Sequence, residues 1–222
     1  MAAQKEPSMQ SKAYHFIKNK ITSCEYAPNQ LLSESLLQEE LGFSRTPVRE
    51  AISRLAQEGL LKVFPKRGIV VSGITVSDIR MIFEVRTLVE PYALRTCGDN
   101  INRHEIERFS QIFHDFETTN NCPDFYELDD RFHLFLISAL QNDYLLDLYA
   151  RIQTQNIRLR IMSGQSIDRR LQESMEEHAQ IADACLARNW ELAASAMLQH
   201  LEFSKQSALT TILRFRSDTD II

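Results

Sequence analysis

The sequence predicts a mainly α protein: an N-terminal winged helix-turn-helix plus a C-terminal all-α antiparallel helical bundle. Three observations carry the prediction. Between residues 12 and 74, three short helical patterns run into two β-type segments flanking Pro65-Lys66-Arg67-Gly68. From Thr75 onward, apolar residues recur at helical spacing with almost no Gly or Pro inside the repeats. The charge divides at the same place. Residues 1–74 carry 10 Lys+Arg against 7 Asp+Glu, and the remainder 15 against 23, within an overall net charge of −5.

Taken in order, residues 1–11 read as a loose tail. Tyr14, Ile17 and Ile21 share one face of a helix over Lys12–Cys24, and Pro28 and Asn29 break the chain after it. Ser33 caps a short helix, Glu34–Leu41, and Gly42 ends it. Ser44 or Thr46 caps the next, whose first turn accommodates Pro47 and whose apolar face is Val48, Ala51, Ile52 and Leu55. LLKVF, the turn PKRG and IVVSGI then form a β-hairpin, so that 12–74 is one module. The second module, 75–216, contains six helices at about 76–97, 102–119, 123–140, 143–163, 168–188 and 190–214. Residues 217–222 are a closing tail.

Composition narrows the function. Hydrophobic content of 44% in 222 residues is that of a globular chain. No apolar run approaches the roughly 20 residues of a membrane span, and MAAQKEPSMQSK lacks the apolar core of a signal peptide. The scattered Cys24, Cys97, Cys122 and Cys185 form no CxxC pair and read as reduced thiols, so a cytoplasmic protein without membrane partners is expected. A mildly basic module on an acidic body suits the approach to a polyanion.

In a helix-turn-helix the second helix enters the major groove with its first residues at the base edges. Here these are Ser44, Arg45, Thr46 and Arg49. Arg45 and Arg49, four apart, lie opposite the apolar face, and arginine reads guanine bidentately. Lys66, Arg67 and Gly68 at the hairpin tip can meet backbone or minor groove, with Gly68 permitting close approach.

The body places four ligand-capable side chains on inward faces. Asp129 and His133 lie one turn apart in FYELDDRFHLFLISAL, and His178 and His200 fall inside apolar stripes. Burying them is costly unless something satisfies them together, and a divalent cation would. A lone inward histidine is ordinarily a satisfied core residue; four together point to a site. An O/N₃ set suits Zn²⁺ first, with Ni²⁺, Fe²⁺ or Mn²⁺ also acceptable. Asp130 rivals Asp129 but points further from the apolar stripe. His15, His104 and His114 read as surface or core residues.

The segment LLSESLLQEELGFSRTPVREAISRLAQEGLLKVFPKRGIVVSGIT resembles the DNA-binding domain of the GntR superfamily of bacterial transcription regulators, with SRTPVREAISRLAQEGL its most specific part. It departs from the pattern at Ser35, where relatives often carry a DNA-contacting arginine. FEVRTLVEPYAL, DDRFHLFLISALQN and EEHAQIADACLARNWELAASAMLQHL resemble the FCD effector domain of the FadR-like branch, and the six-helix count leans toward its VanR-like subgroup. The resemblance implies a metal held by Asp129, His133, His178 and His200, and an effector carboxylate near it. Arg86 is the first candidate for that carboxylate, with a salt bridge to Glu90 as the competing role; Arg160 is second. It also implies a homodimeric regulator, most often a repressor, on a pseudo-palindromic DNA operator, sensing a small organic or sugar acid. A metalloenzyme acting on such an acid, or a regulator with a purely structural metal, are the alternatives.

Overall fold

The computed structural model describes residues 7–116, 122–162 and 168–219, and the chain divides into two compact units, Met1–Ile74 and Thr75–Ile222. In the first, α1 (Met9–Thr22) is capped by the Ser8 hydroxyl, which accepts from the Ser11 amide at 3.1 Å. That cap starts the helix three residues before the expected Lys12, so the last part of the expected tail is helical. A two-residue strand, β1 (Leu31–Leu32), comes next; it is too short to show alternation in sequence and forms only because β3 pairs with it. Helix α2 (Glu34–Leu41) is capped by Ser33 and closed by Gly42 in the left-handed conformation, φ 64°. Helix α3 (Arg45–Gln57) has Ser44 at its N-cap, although the Ser44 hydroxyl makes no capping bond. Strands β2 (Leu61–Phe64) and β3 (Gly68–Val71) form the antiparallel hairpin, giving a sheet of order β1-β3-β2. Ile17, Ile21, Leu37, Val48, Leu55, Leu61 and Val71 close one core beneath it. α2 and α3 are therefore braced from behind, and the start of α3 is free to face outward.

In the second unit, α4 (Val76–Cys97) opens with a reciprocal capping box between Thr75 and Asp78. Pro91 lies inside α4; its missing N–H leaves the Thr87 carbonyl without the usual helical donor, yet the helix continues. A single 3₁₀ turn, Gly98–Asn100, leads to α5 (Arg103–His114). The helix expected over 102–119 stops at His114, where Asp115 takes a non-helical backbone; 117–119 fall outside the described residues. Then come α6 (Cys122–Ser138), α7 (Asp143–Met162), α8 (Asp168–Leu186) and α9 (Trp190–Thr219). Helix α9 passes the expected end at 214, so 217–219 of the expected closing tail are helical. α4 and α8 both pack on α9, α5 on α8, and α6 and α7 on α4. This interleaving turns one face of α6, α8 and α9 toward a common interior. No described helix is long and apolar enough to cross a membrane.

Candidate metal centre and nucleic-acid interface

Asp129 and His133, four apart on α6, project in the same direction. His178 comes from α8 and His200 from α9, and the four ligand-capable atoms lie within 4.8 Å of one another. All four residues are buried, none more than 4% exposed. The Nε2 atom of His178 is 3.2 Å from Nε2 of His133 and 3.3 Å from Nε2 of His200. Asp129 Oδ1 is 3.4 Å from His178 Nε2, and Oδ2 is 3.7 Å from His133 Nε2. Asp130, its neighbour, lies outside this convergence.

The outer faces of two rings set their tautomers. His133 Nδ1 is 2.6 Å from Glu90 Oε2, and His200 Nδ1 is 2.7 Å from Glu177 Oε2. A carboxylate only accepts, so each Nδ1–H donates and each Nε2 presents a lone pair inward. His178 Nδ1 has no hydrogen-bond partner among the described residues. Burial first, and the neighbouring imidazoles after it, keep His178 and His200 neutral well below the usual histidine range. With its Nδ1 unpartnered, the His178 ring can carry its proton on Nε2, but one proton satisfies only one of the two neighbouring lone pairs, whereas a cation accepts from all three rings at once. The donor set therefore fits a divalent metal.

Sequence reasoning missed Glu90 and Glu177. In sequence the first reads only as an ion-pair partner of Arg86, and that bond is present: Arg86 Nε donates to Glu90 Oε1 at 2.6 Å, while Tyr149 donates to the same oxygen at 2.8 Å. Against the cost of full burial, Arg86 and His133 hold the Glu90 carboxyl below the usual carboxylate range. A glutamate on an apolar helix face was the available signal. Glu177 gave none, because its partners Arg170 and His200 lie seven residues away on its own helix and on another helix.

Arg160 pairs with Asp129 and, at 3.2 Å, with Asp130. Burial opposes the Asp129 charge, but Arg160 and the histidines keep that carboxyl ionised far below its usual range. Burial, reinforced by Asp129 next door, pushes Asp130 up to about 6. With its amide oxygen turned to the guanidiniums, Asn156 accepts from Arg86 Nη1 at 3.2 Å and Arg160 Nη2 at 2.6 Å. Arg86 and Arg160 line a cavity of about 100 Å³ whose wall also includes Asp129, His200, Arg170 and Ser174. The remaining histidines, His15, His104 and His114, are exposed, and His114 Nε2 meets Asp183 at 2.9 Å.

In the first unit, Ser44, Arg45, Thr46 and Arg49 are all exposed at the start of α3. Arg45 Nε and Arg49 Nε both donate to Glu34 of α2, at 3.0 and 2.9 Å. Lys66 and Arg67 are exposed at the hairpin tip, Lys66 with φ 64°. Gly68 is half-buried, with φ 115°, and a Cβ there would meet Leu31 Cδ1 at 3.0 Å and the Leu32 carbonyl at 3.1 Å. Its bareness answers first to β1, not to an outside ligand.

Two family profiles match this chain: "Bacterial regulatory proteins, gntR family" over residues 9–71, and "FCD domain" over 81–203. The chain belongs to the GntR family and carries an FCD domain. Among relatives, it is 28% identical over 197 residues to the HTH-type transcriptional repressor RspR of Escherichia coli K12, covering 87% of this chain and 86% of that one. It is likewise 28% identical over 204 residues, 90% of this chain and 89% of the other, to the regulator YdfH of Escherichia coli O6:H1. A GntR regulator from Rhodococcus sp. RHA1 shares the fold, with TM-score 0.78 and 20% identity over 92% of this chain and 99% of its own. The Zn²⁺-bound FCD domain of TM0439 superposes with TM-score 0.56 and 20% identity over 64% of this chain and 98% of its own. This GntR–FCD protein is thus a DNA-binding transcription regulator.

Proposed function

We propose that this regulator holds one divalent cation, Zn²⁺ first among candidates, through Asp129, His133, His178 and His200, and that the FCD unit senses a small organic or sugar acid beside it. The carrying observation is the meeting of three Nε2 atoms, that of His178 within 3.3 Å of the other two, whose own rings have their outer nitrogens tied to carboxylates. The zinc found in the FCD domain of TM0439 supports the same reading. Arg86 and Arg160 line the adjoining cavity, as an acid-binding site requires. Both are engaged, Arg86 by Glu90 and Arg160 by Asp129 with Asp130, so an effector carboxylate would compete for Arg160 or use the outer guanidinium edges.

In the same reading, Ser44, Arg45, Thr46 and Arg49 face the major groove and Lys66, Arg67 and Gly68 the backbone or minor groove. A homodimer places two such modules on a pseudo-palindromic operator. Repression is proposed on the example of RspR, named a repressor. The effector acts by preferring one arrangement of the protein over another.

Elemental analysis of the purified protein tests the centre. The wild type should carry close to one equivalent, and His178→Ala and His200→Ala should lose it; full occupancy in both variants rejects the ligand set. A thermal-shift screen of organic acids, with and without metal, tests the sensor. Stabilisation by acid only in the metal-loaded protein is expected. Metal-dependent melting with no response to any acid would instead mark the ion as structural.

A further inference from the structure

We propose that Glu34 is a positioning residue for sequence reading: it orients both arginines of α3 and gives up DNA affinity in exchange for selectivity. The inference rests on the reading of Arg45 and Arg49 as base or phosphate contacts. Glu34 is the first residue of α2, directly after the Ser33 cap, where a carboxylate is favoured by the helix terminus. Its side chain crosses the Gly42 turn to α3. One carboxylate oxygen accepts from Arg45 Nε at 3.0 Å, and both accept from Arg49 Nε, at 2.9 and 3.0 Å.

The choice of nitrogen matters. Arginine presents its donors on a rigid planar fork, and a guanidinium can meet guanine or phosphate along its side edge, which includes Nε, or across its end, with Nη1 and Nη2. Glu34 occupies the Nε position of both residues. The two ends remain available, and the side chains stay 65% and 55% exposed. A flexible four-torsion side chain is thereby held with its end-on donors projecting from α3, so less freedom is lost when DNA arrives. Specific contacts gain from that ordering, whereas loose phosphate contacts, which tolerate many geometries, gain little.

The charge of Glu34 works in the opposite direction. It neutralises part of the positive field at the reading helix, and its neighbour Ser35, whose hydroxyl is 2.9 Å from that of Ser33, adds no charge. Sequence-independent binding scales with the phosphates neutralised, so Glu34 suppresses binding to all duplexes alike. A clasp that only stabilised the fold would be a weak choice here, because exposed ion pairs contribute little.

The test uses the full chain and a duplex selected by the wild type from a random-sequence library, with a scrambled duplex of equal length and composition as control. Dissociation constants for both are measured for wild type, Glu34→Gln, Glu34→Asp, Arg45→Ala and Arg49→Ala, beside thermal melts. The expected result is a roughly tenfold loss of the selected-to-scrambled ratio in Glu34→Gln. Affinity for the scrambled duplex should hold or rise, the melting temperature should be unchanged, and Glu34→Asp should recover part of the ratio. An unchanged ratio, with the arginine variants still losing the selected site, overturns the role of Glu34 and leaves the arginine contacts standing. Equal weakening on both duplexes with a lowered melting temperature marks a structural clasp and also overturns it. On singly substituted versions of the selected duplex, loss of discrimination confined to one cytosine-bearing base pair makes Glu34 a base contact itself, and overturns it too. Arginine variants that bind the selected site like wild type remove both readings.

Discussion

Glu90 satisfies His133, Arg86 and Tyr149 with two oxygens, from a position with no exposed surface. Removing its charge leaves a buried guanidinium without its counter-ion, a change that costs roughly 3–5 kcal/mol in comparable buried pairs. Glu90→Gln is therefore expected to unfold at markedly lower denaturant, as equilibrium urea melts followed by circular dichroism would show. Glu177 is less enclosed, and its partner Arg170 keeps the Ser204 hydroxyl and the open cavity beside it. Glu177→Gln should fold normally but bind metal roughly 10–100-fold more weakly, because the His200 ring loses the acceptor that orients it. Competition against a chromophoric chelator measures this; equal affinity would show that the Glu177 carboxylate does not tune the site.

At the scale of elements, turns and junctions are set by particular contacts. Gly42 ends α2 at φ 64°, a conformation that costs other residues roughly 1–2 kcal/mol. Space is open around it, so Gly42→Ala should lower stability by about that amount and no more. Gly98 presents the opposite case. Its backbone is ordinary, but a Cβ there would lie 2.4 Å from the Trp190 indole that opens α9. Gly98→Ala is expected to destabilise by roughly 1–3 kcal/mol through overpacking, and the penalty should vanish in a Trp190→Ala background. A double-mutant cycle reads that coupling directly. Sequence reading makes Gly42 a helix end and stops the first bundle helix at 97, just before Gly98; both ends are found, but only Gly42 acts through its backbone. Helix ends elsewhere differ from expectation by a few residues where a cap decides them. Ser8 lengthens α1, and the stop at Asp115 shortens α5.

For the whole molecule, the two units answer to different solution variables. DNA binding by α3 and the hairpin tip should weaken steeply between about 50 and 200 mM salt; a flat response in fluorescence anisotropy would mean that no phosphates are neutralised. The FCD unit should instead respond to pH. Burial holds His178 and His200 neutral in the folded chain, whereas in the unfolded chain they titrate near 6.5. Above that value neither state binds the protons and stability is complete. As pH falls through 6.5 the unfolded state takes up protons that the folded state refuses, so stability falls. Metal release on protonation acts in the same sense. Thermal melts from pH 8 to 5 should show a falling midpoint, and constancy below pH 6.5 would contradict a neutral buried cluster.

The sequence by itself determined the two-part plan, the helix-turn-helix with its hairpin, and four inward ligand-capable side chains. These arise from local signals: apolar spacing, caps, and polar residues on faces that must be buried. Tertiary structure alone decided that Glu90 and Glu177 fix the ring tautomers, that Arg160 leans on Asp129, and that Glu34 clasps Arg45 and Arg49. Each of these pairs joins residues on different helices. Periodicity says which side of a helix faces inward, but which side chain meets it there depends on how the helices pack.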